Sequence, residues 1–123
     1  MWPERVLKCL FIPAARSLHP YLVGAKGKYR RKTMPVGSFK PNAFGVYDMH
    51  GNAYEWTADC WNESHQGAPN DGSARKDGDC KFRLMKGGSW VSHAYQVRTA
   101  SRTRYTTDFG YEDYGFRIAR TLN

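Results

Sequence analysis

From Met34 onward the chain alternates short apolar stretches with turn sequences, and this alternation limits the folds that it can form. Apolar stretches of four or five residues begin at Phe44, Tyr54, Phe82 and Gly115. The turn sequences between them are Pro41-Asn42, His50-Gly51-Asn52, Asn70-Asp71-Gly72, Asp77-Gly78-Asp79 and Gly87-Gly88. The apolar period of about 3.6 residues that marks a helix is not sustained. The pattern therefore predicts short strands joined by long loops, and it argues against a helical bundle.

The positive charge of the chain lies almost entirely in its first 33 residues. The formal net charge is +8, from 19 Lys and Arg residues against 11 Asp and Glu residues. Residues 1–33 carry +7 of this charge, and residues 34–123 carry +1. The sequence therefore predicts two parts, a basic and poorly ordered leader over 1–33 and a domain over 34–123.

The basic run from Lys26 to Lys32 has two interpretations. It can contact phosphates or anionic lipid through charge alone, which keeps a nucleic-acid binder as an alternative. We favour a solvated arm, because runs of like charge are usually exposed. No nucleic-acid partner is expected for the body of the chain.

The length and composition fit one small domain. Hydrophobic residues make up 41% of the chain and aromatic residues 15%, which argues against disorder throughout. The longest apolar run is far shorter than the roughly 20 residues that a transmembrane helix needs, so no transmembrane segment is expected. The oligomeric state is not indicated.

Two stretches show the two-residue period of a strand. Phe116 and Ile118 alternate with Arg117 and Ala119, so the two apolar side chains are expected on a buried face. Three arginines at even spacing are expected on one face of another strand: Arg98, Arg102 and Arg104. They are either partners for acidic loops or an anion-binding patch, and the near-neutral body favours internal pairing.

The three cysteines are Cys9, Cys60 and Cys80, and an odd number does not by itself indicate a disulfide framework. The segment from Asn62 to Asp79 contains no hydrophobic residue larger than Ala, so a long loop separates the last two. A Cys60–Cys80 bridge would contribute roughly 3 kcal/mol. It would also favour a periplasmic or extracellular location, because disulfides persist in oxidising compartments. Zinc is disfavoured because the spacing of zinc ligands is missing.

Four segments resemble the formylglycine-generating enzyme family, also called the sulfatase-modifying factor domain. They are Pro35–Thr57, Gly67–Ala74, the Gly-Gly-Ser-Trp sequence at 87–90, and Gly115–Arg120. The resemblance covers about residues 34–122 and matches only the C-terminal part of the family domain. It implies an α+β, C-type-lectin-like fold that is truncated relative to the family, with short irregular strands, long loops and little helix. It also implies a structural disulfide, because Cys60 and Cys80 match a cysteine pair common in bacterial relatives.

The resemblance further implies a structural calcium ion at one tight turn. The matching residues are Asp48 and Glu55, through their side chains, and Gly51 and Ala53, through their carbonyl groups. This donor set suits Ca²⁺, which takes carboxylate and carbonyl oxygens together. The alternative is an ordinary turn in which Glu55 pairs with an arginine.

The catalytic positions of the family are altered. The family enzymes use two cysteines that hold copper and activate O₂ to oxidise a substrate cysteine. The matching residues here are Ser92 and Val97, whereas Ser89 and His93 match retained active-site positions. Thiolates are the ligands that suit Cu(I), so neither copper nor formylglycine-generating activity is expected. A serine hydrolase is also excluded, because Ser92 and His93 are adjacent and no nucleophile-elbow sequence is present.

These observations favour a binding scaffold over an enzyme. A protein or peptide ligand is expected at the loops around 90–95 and 105–114, since aromatic loops suit binding. The expected contact residues are Trp90, Tyr95, Tyr105 and Tyr111. Two alternatives stay open: a diverged metal-dependent oxidoreductase of the same family, and a partial domain with no independent function.

Overall fold

The computed structural model describes residues 10–11 and 29–118 of the chain. This part contains six strands and no helix. The strands are β1 (Leu10–Phe11), β2 (Met49–His50), β3 (Tyr54–Trp61), β4 (Asp79–Lys86), β5 (Thr103–Thr106) and β6 (Tyr114–Phe116). Because no helix occurs in the described part, none there is long and apolar enough to cross a membrane.

Four of the strands form one sheet in the order β5-β4-β3-β6. The central strands β3 and β4 are antiparallel, and their register shifts on both sides of Cys60. β5 pairs antiparallel with β4, whereas β6 pairs parallel with β3, from Tyr54 opposite Tyr114 to Trp56 opposite Phe116. A separate parallel pair joins β1 to β2.

Two predicted strands are confirmed. Tyr54–Thr57 lies within β3 and Phe82–Met85 lies within β4, where aromatic and apolar side chains suit a half-buried pleated surface. The buried hydrophobic residues come from these two strands: Tyr54, Cys60, Leu84 and Met85. Met34, Phe39 and Trp90 pack against them. The core therefore lies against β3 and β4.

The stretch from Phe44 to Tyr47 does not form a strand, so this prediction is wrong. The side-chain oxygen of Asn42 accepts hydrogen bonds from the amides of Phe44 (2.9 Å) and Val46 (3.0 Å). Gly45 has a φ of +73° in the same turn. The asparagine bonds hold the backbone in a turn, and Phe44 is left 88% exposed.

The prediction for residues 115–119 is only partly right. β6 ends at Phe116, and the side chains expected to be buried are exposed, Phe116 by 75% and Ile118 by 76%. The Arg117 side chain is instead only 16% exposed, because it pairs with Glu55 of β3. A long-range ion pair therefore decides which side chains face inward, against the local apolar pattern.

Cys60 and Cys80 form a disulfide in the structure, as the sequence predicted. The bridge closes the loop between β3 and β4, which has contacts of its own. The Arg75 amide donates to the Asp59 carboxylate (2.8 Å), and the Arg75 guanidinium donates to the Gln66 carbonyl (2.8 Å). The loop is therefore held at its base by the bridge and within its span by Arg75.

The three arginines at even-numbered separations do not share one strand. Arg104 lies in β5, which begins only at Thr103, so Arg98 and Arg102 lie outside it. The guanidinium groups of Arg102 and Arg104 lie over the Trp61 ring, at 4.7 and 5.1 Å from its centroid. Arg104 also pairs with Glu63 at 3.5 Å. The contact with Glu63 supports pairing with an acidic loop residue for Arg104, whereas Arg102 contacts the Trp61 ring.

Most of the leader lies outside the described residues, including Cys9 and the basic residues 26–28. Within the described part, β1 pairs with β2. The ring centroids of Tyr29 and Trp90 are 6.2 Å apart, and the Arg30 guanidinium lies over the Phe39 ring. Residues 10–11, Tyr29 and Arg30 of the predicted leader therefore contact the domain.

Candidate functional site

Ser92 and Val97, the two residues predicted to replace the catalytic cysteines, both lie close to Gly88. This residue follows β4 and has a φ of +70°, a conformation that glycine adopts easily. A Cβ on Gly88 would lie 2.6 Å from Val97 Cγ1 and 3.4 Å from Ser92 Cβ. Because Gly88 has no side chain, Ser92 and Val97, which are five residues apart in the loop, can both approach the same point.

Ser92 takes part in a buried hydrogen-bond network. Its hydroxyl accepts from the Ser89 amide (2.9 Å) and donates to the Tyr54 hydroxyl (3.1 Å). The Ser89 hydroxyl lies 3.4 Å from the same oxygen. The three residues are 2 to 6% exposed, so their hydroxyl groups depend on one another for hydrogen bonds.

Val97 is held from its backbone rather than through its side chain. The Val97 carbonyl lies 2.7 Å from His50 Nδ1, and since a carbonyl can only accept, that nitrogen carries the proton. This bond ties the loop after the Gly-Gly-Ser-Trp sequence to β2. It fixes the backbone at position 97 beside Gly88.

His93 does not join this network. It is exposed, and its ring stacks on Tyr95 with 5.7 Å between centroids and an interplanar angle of 7°. Ser92 is buried whereas His93 is exposed. The structure therefore brings Ser89 and Ser92 together and leaves His93 apart from them.

Trp90 is positioned by Asn52, which the sequence analysis did not assign to the site. The Trp90 amide donates to the Asn52 carbonyl (2.9 Å), and the Asn52 side chain accepts from the Met34 amide (2.8 Å). Asn52 has a φ of +66° and is buried. The turn sequence His50-Gly51-Asn52 could have indicated this role of Asn52, because asparagine tolerates a positive φ better than most residues.

The exposed tyrosines that were predicted to contact a ligand form two groups. Tyr95 stacks on His93 and is 63% exposed. Tyr105 and Tyr111 lie on Tyr114, at 5.1 and 5.0 Å between ring centroids, and are 40% and 60% exposed. Burial, together with a hydrogen bond to Tyr105, raises the pKa of Tyr114. The predicted ligand residues are thus divided between the 90–95 segment and the surroundings of Tyr114.

Tyr54 connects these two parts of the molecule, and the sequence analysis did not single it out. Its hydroxyl group binds Ser92, and its ring lies edge-on to Tyr114 at 6.2 Å. Nothing in the local sequence distinguishes this tyrosine from its aromatic neighbours. Its role depends on contacts across 38 and 60 residues of chain, which local patterns do not encode.

The predicted calcium turn contains an ion pair. The Arg117 guanidinium binds the Glu55 carboxylate through both oxygens, with Nε 2.5 Å from Oε2, and it reaches the Asp48 carbonyl at 3.4 Å. The Asp48 carboxylate accepts from the Gly37 amide at 2.9 Å. Burial raises the pKa of Glu55 and lowers that of Arg117, and the bidentate contact between the two opposite charges opposes both shifts. The structure thus contains the arginine pair that the alternative interpretation expects.

The donor set at this turn limits how a metal can bind. No group of three or more His, Cys, Asp or Glu side chains lies close enough to hold a metal within residues 10–11 and 29–118. A calcium ion here would therefore need backbone carbonyl oxygens beside the two carboxylates. Such a mixed set is one that Ca²⁺ accepts.

Comparisons with known proteins identify the family. The sulfatase-modifying factor enzyme 1-like domain matches residues 14–122, which starts ahead of the predicted boundary at residue 34. The chain belongs to this family. It is 39% identical over 92 residues to the formylglycine-generating enzyme of Bos taurus, covering 72% of this chain and 24% of the bovine protein.

Two solved structures resemble the chain. The structure of PvdO from Pseudomonas aeruginosa has 46% sequence identity and a TM-score of 0.65, over 69% of this chain and 33% of that one. The Treponema denticola variable protein 1 has 33% identity and a TM-score of 0.60, over 69% and 31% of the two chains. The chain thus spans about a quarter of the bovine relative and about a third of these two structures.

Proposed function

We propose that this chain is a binding domain of the sulfatase-modifying factor family that does not oxidise cysteine. The observation that carries the proposal is the state of Ser92. Its hydroxyl group is buried and bonded to Ser89 and Tyr54, at a position where the resemblance implies a copper-binding thiol. An alcohol is a poor ligand for Cu(I), which selects sulfur.

The second position supports the same proposal. Val97 offers an alkyl group, and it lies against Gly88 close to the same point as the Ser92 side chain. A copper ion at this point would face one hydroxyl group and one isopropyl group. The residues present therefore do not fit copper, and no oxidation step is assigned to them.

The ligand of the proposed binding domain is a protein or a peptide. Tyr105 and Tyr111 present exposed rings beside Tyr114, and aromatic rings of this kind bury a large area at small entropic cost. Trp90 and Tyr95 supply the second contact region. The proposed C-type-lectin-like arrangement, in which loops are displayed from a small sheet, suits this role.

Oxygen uptake tests the absence of oxidase activity. Purified chain with copper and a cysteine-containing peptide is expected to consume no O₂ above the rate of copper alone. Uptake that depends on Ser89 or Ser92 would overturn the proposal and favour the diverged oxidoreductase. Iron in place of copper gives the same test for a different metal.

The binding role predicts that a peptide selected from a random library against the full chain contacts the Tyr111 region. Tyr111→Ala is expected to weaken the selected peptide at least tenfold, because an exposed aromatic anchor is lost. Phe44→Ala is the control, since Phe44 is an aromatic residue that is even more exposed than Tyr111, 88% against 60%, and lies in another loop. An equal loss of peptide affinity in both variants, or no loss in either variant, would contradict the assignment.

We also propose that the turn at 48–55 binds Ca²⁺ through Asp48, Glu55 and the carbonyls of Gly51 and Ala53. Calorimetric titration is expected to show binding that weakens in Glu55→Gln, because one carboxylate is removed. Glu63→Gln is the control, since the Glu63 side chain is 85% exposed and distant in sequence. Absence of heat and of a thermal shift relative to chelator would favour the arginine pair alone.

A further inference from the structure

The two ends of the Cys60–Cys80 bridge differ in accessibility. Cys60, in β3, is only 3% exposed. Cys80, the second residue of β4, is exposed to solvent. Since thiol–disulfide exchange requires access to the sulfur that is attacked, a thiol in solution meets the Cys80 end of the bridge.

The charges around the bridge are also unequal. Arg83 lies opposite Cys60 in the register of β3 and β4, and its Nη1 is 3.3 Å from Cys60 Sγ. A guanidinium at this distance stabilises a thiolate. The Lys76 carbonyl oxygen lies 3.3 Å from Cys80 Sγ and 3.7 Å from Cys60 Sγ, so it disfavours negative charge more at Cys80. The surroundings therefore favour the thiolate on Cys60 when the bridge opens.

We propose that this bridge is a site of thiol–disulfide exchange with a small-molecule monothiol. The incoming thiolate attacks Cys80 Sγ, the Cys60–Cys80 bond breaks, and Cys60 leaves as a thiolate beside Arg83. One disulfide is lost and one mixed disulfide forms on Cys80, so no separate oxidant or reductant is consumed. In the reverse step the Cys60 thiolate attacks Cys80 and expels the small thiol.

The rest of the loop can stay in place during this exchange. The Cys60 amide donates to the Arg75 carbonyl (2.8 Å), and the Asn62 side chain donates to the Asp77 carbonyl (2.9 Å). Neither bond needs the disulfide. The exchange is therefore expected in the folded chain and is independent of the proposed binding function.

Reduced glutathione is the probe for the test. The full chain is incubated with glutathione without denaturant, quenched with excess N-ethylmaleimide near neutral pH, which alkylates free thiols rapidly, and mapped by peptide mass spectrometry. The expected product carries glutathione on Cys80 and the alkyl group on Cys60. Glutathione on Cys60, or an adduct that forms only in urea, would overturn the proposal.

Variants of Arg83 test the leaving-group role. Arg83→Gln is expected to slow adduct formation about threefold, because a leaving thiol with a higher pKa leaves more slowly. Arg83→Lys keeps the positive charge and is expected to restore most of the rate. Lys81→Gln removes a charge from the same strand and is expected to leave the rate unchanged. Equal rates in all three variants would show that Arg83 does not direct the exchange.

Discussion

Gly88 places Ser92 and Val97 next to each other because it has no side chain of its own. A Cβ at this residue would lie 2.6 Å from Val97 Cγ1, well inside van der Waals contact. The backbone there also has a φ of +70°. Two separate constraints, backbone conformation and space, therefore require glycine at the centre of the site.

Gly88→Ala is expected to lower the free energy of unfolding by about 2–4 kcal/mol, from backbone strain together with overpacking. Gly45→Ala is a matched control, because Gly45 has a φ of +73° and no atom within 4 Å of its Cβ position. The control is expected to cost about 1 kcal/mol, from strain alone. Urea unfolding measures both, and equal losses would contradict the packing argument.

At this scale the sequence predicts Ser92 and Val97 as the replaced catalytic positions, and this stays a prediction, but it does not predict their surroundings. The Gly-Gly-Ser-Trp sequence was enough to align residues 92 and 97 with the family motif. The partner of Ser92 is Tyr54, which lies 38 residues earlier on β3. A hydrogen bond over that separation depends on how the loop returns to the sheet, and a local pattern does not contain this information.

The parallel pair of β3 and β6 is stabilised by one ion pair between elements. Glu55 lies in β3, and Arg117 directly follows β6. Their side chains are 18% and 16% exposed, so both charges are largely removed from water. Each group depends on the other, because a buried charge without a partner is costly.

Arg117→Met is expected to lower the free energy of unfolding by about 2 kcal/mol, since it leaves the Glu55 carboxylate without its guanidinium partner. Arg98→Met removes an exposed arginine and is expected to change stability by less than about 0.5 kcal/mol. Thermal or urea unfolding of both variants, measured in the presence of a calcium chelator, checks these two values. Restoration of stability in the Glu55→Gln, Arg117→Met double variant would support the pair, whereas additive losses would contradict it.

This pair also explains which elements the sequence could predict. β3 and β4 follow from runs of aromatic and apolar residues between turn sequences. The sequence does not predict which side chains of residues 116–118 face inward, because the ion pair with Glu55 turns Arg117 inward and leaves Phe116 and Ile118 exposed. The strand predicted at Phe44–Tyr47 does not form for a local reason: the Asn42 side chain binds backbone amides of this segment and holds it in a turn instead.

At the scale of the whole molecule, the described chain is a four-stranded sheet with a small core and several exposed apolar side chains. Phe44, Val36, Phe116 and Ile118 are each more than 70% exposed. The chain matches about a quarter of the length of the bovine formylglycine-generating enzyme. The chain can thus be assigned to a family, whereas the activity of the whole relative is not transferred to it. Our proposal is that Ser92 and Val97 occupy the two copper-binding positions and do not bind copper.

An anaerobic Cu(I) titration against a chromophoric chelator tests that central claim most directly. The chain with Cys9→Ser, which removes the cysteine outside the disulfide, is expected to leave Cu(I) with the chelator. The same chain with Ser92→Cys and Val97→Cys is expected to take up one equivalent, since Gly88 brings these two positions together. Tight binding of one equivalent by the chain that keeps Ser92 and Val97 would contradict the account.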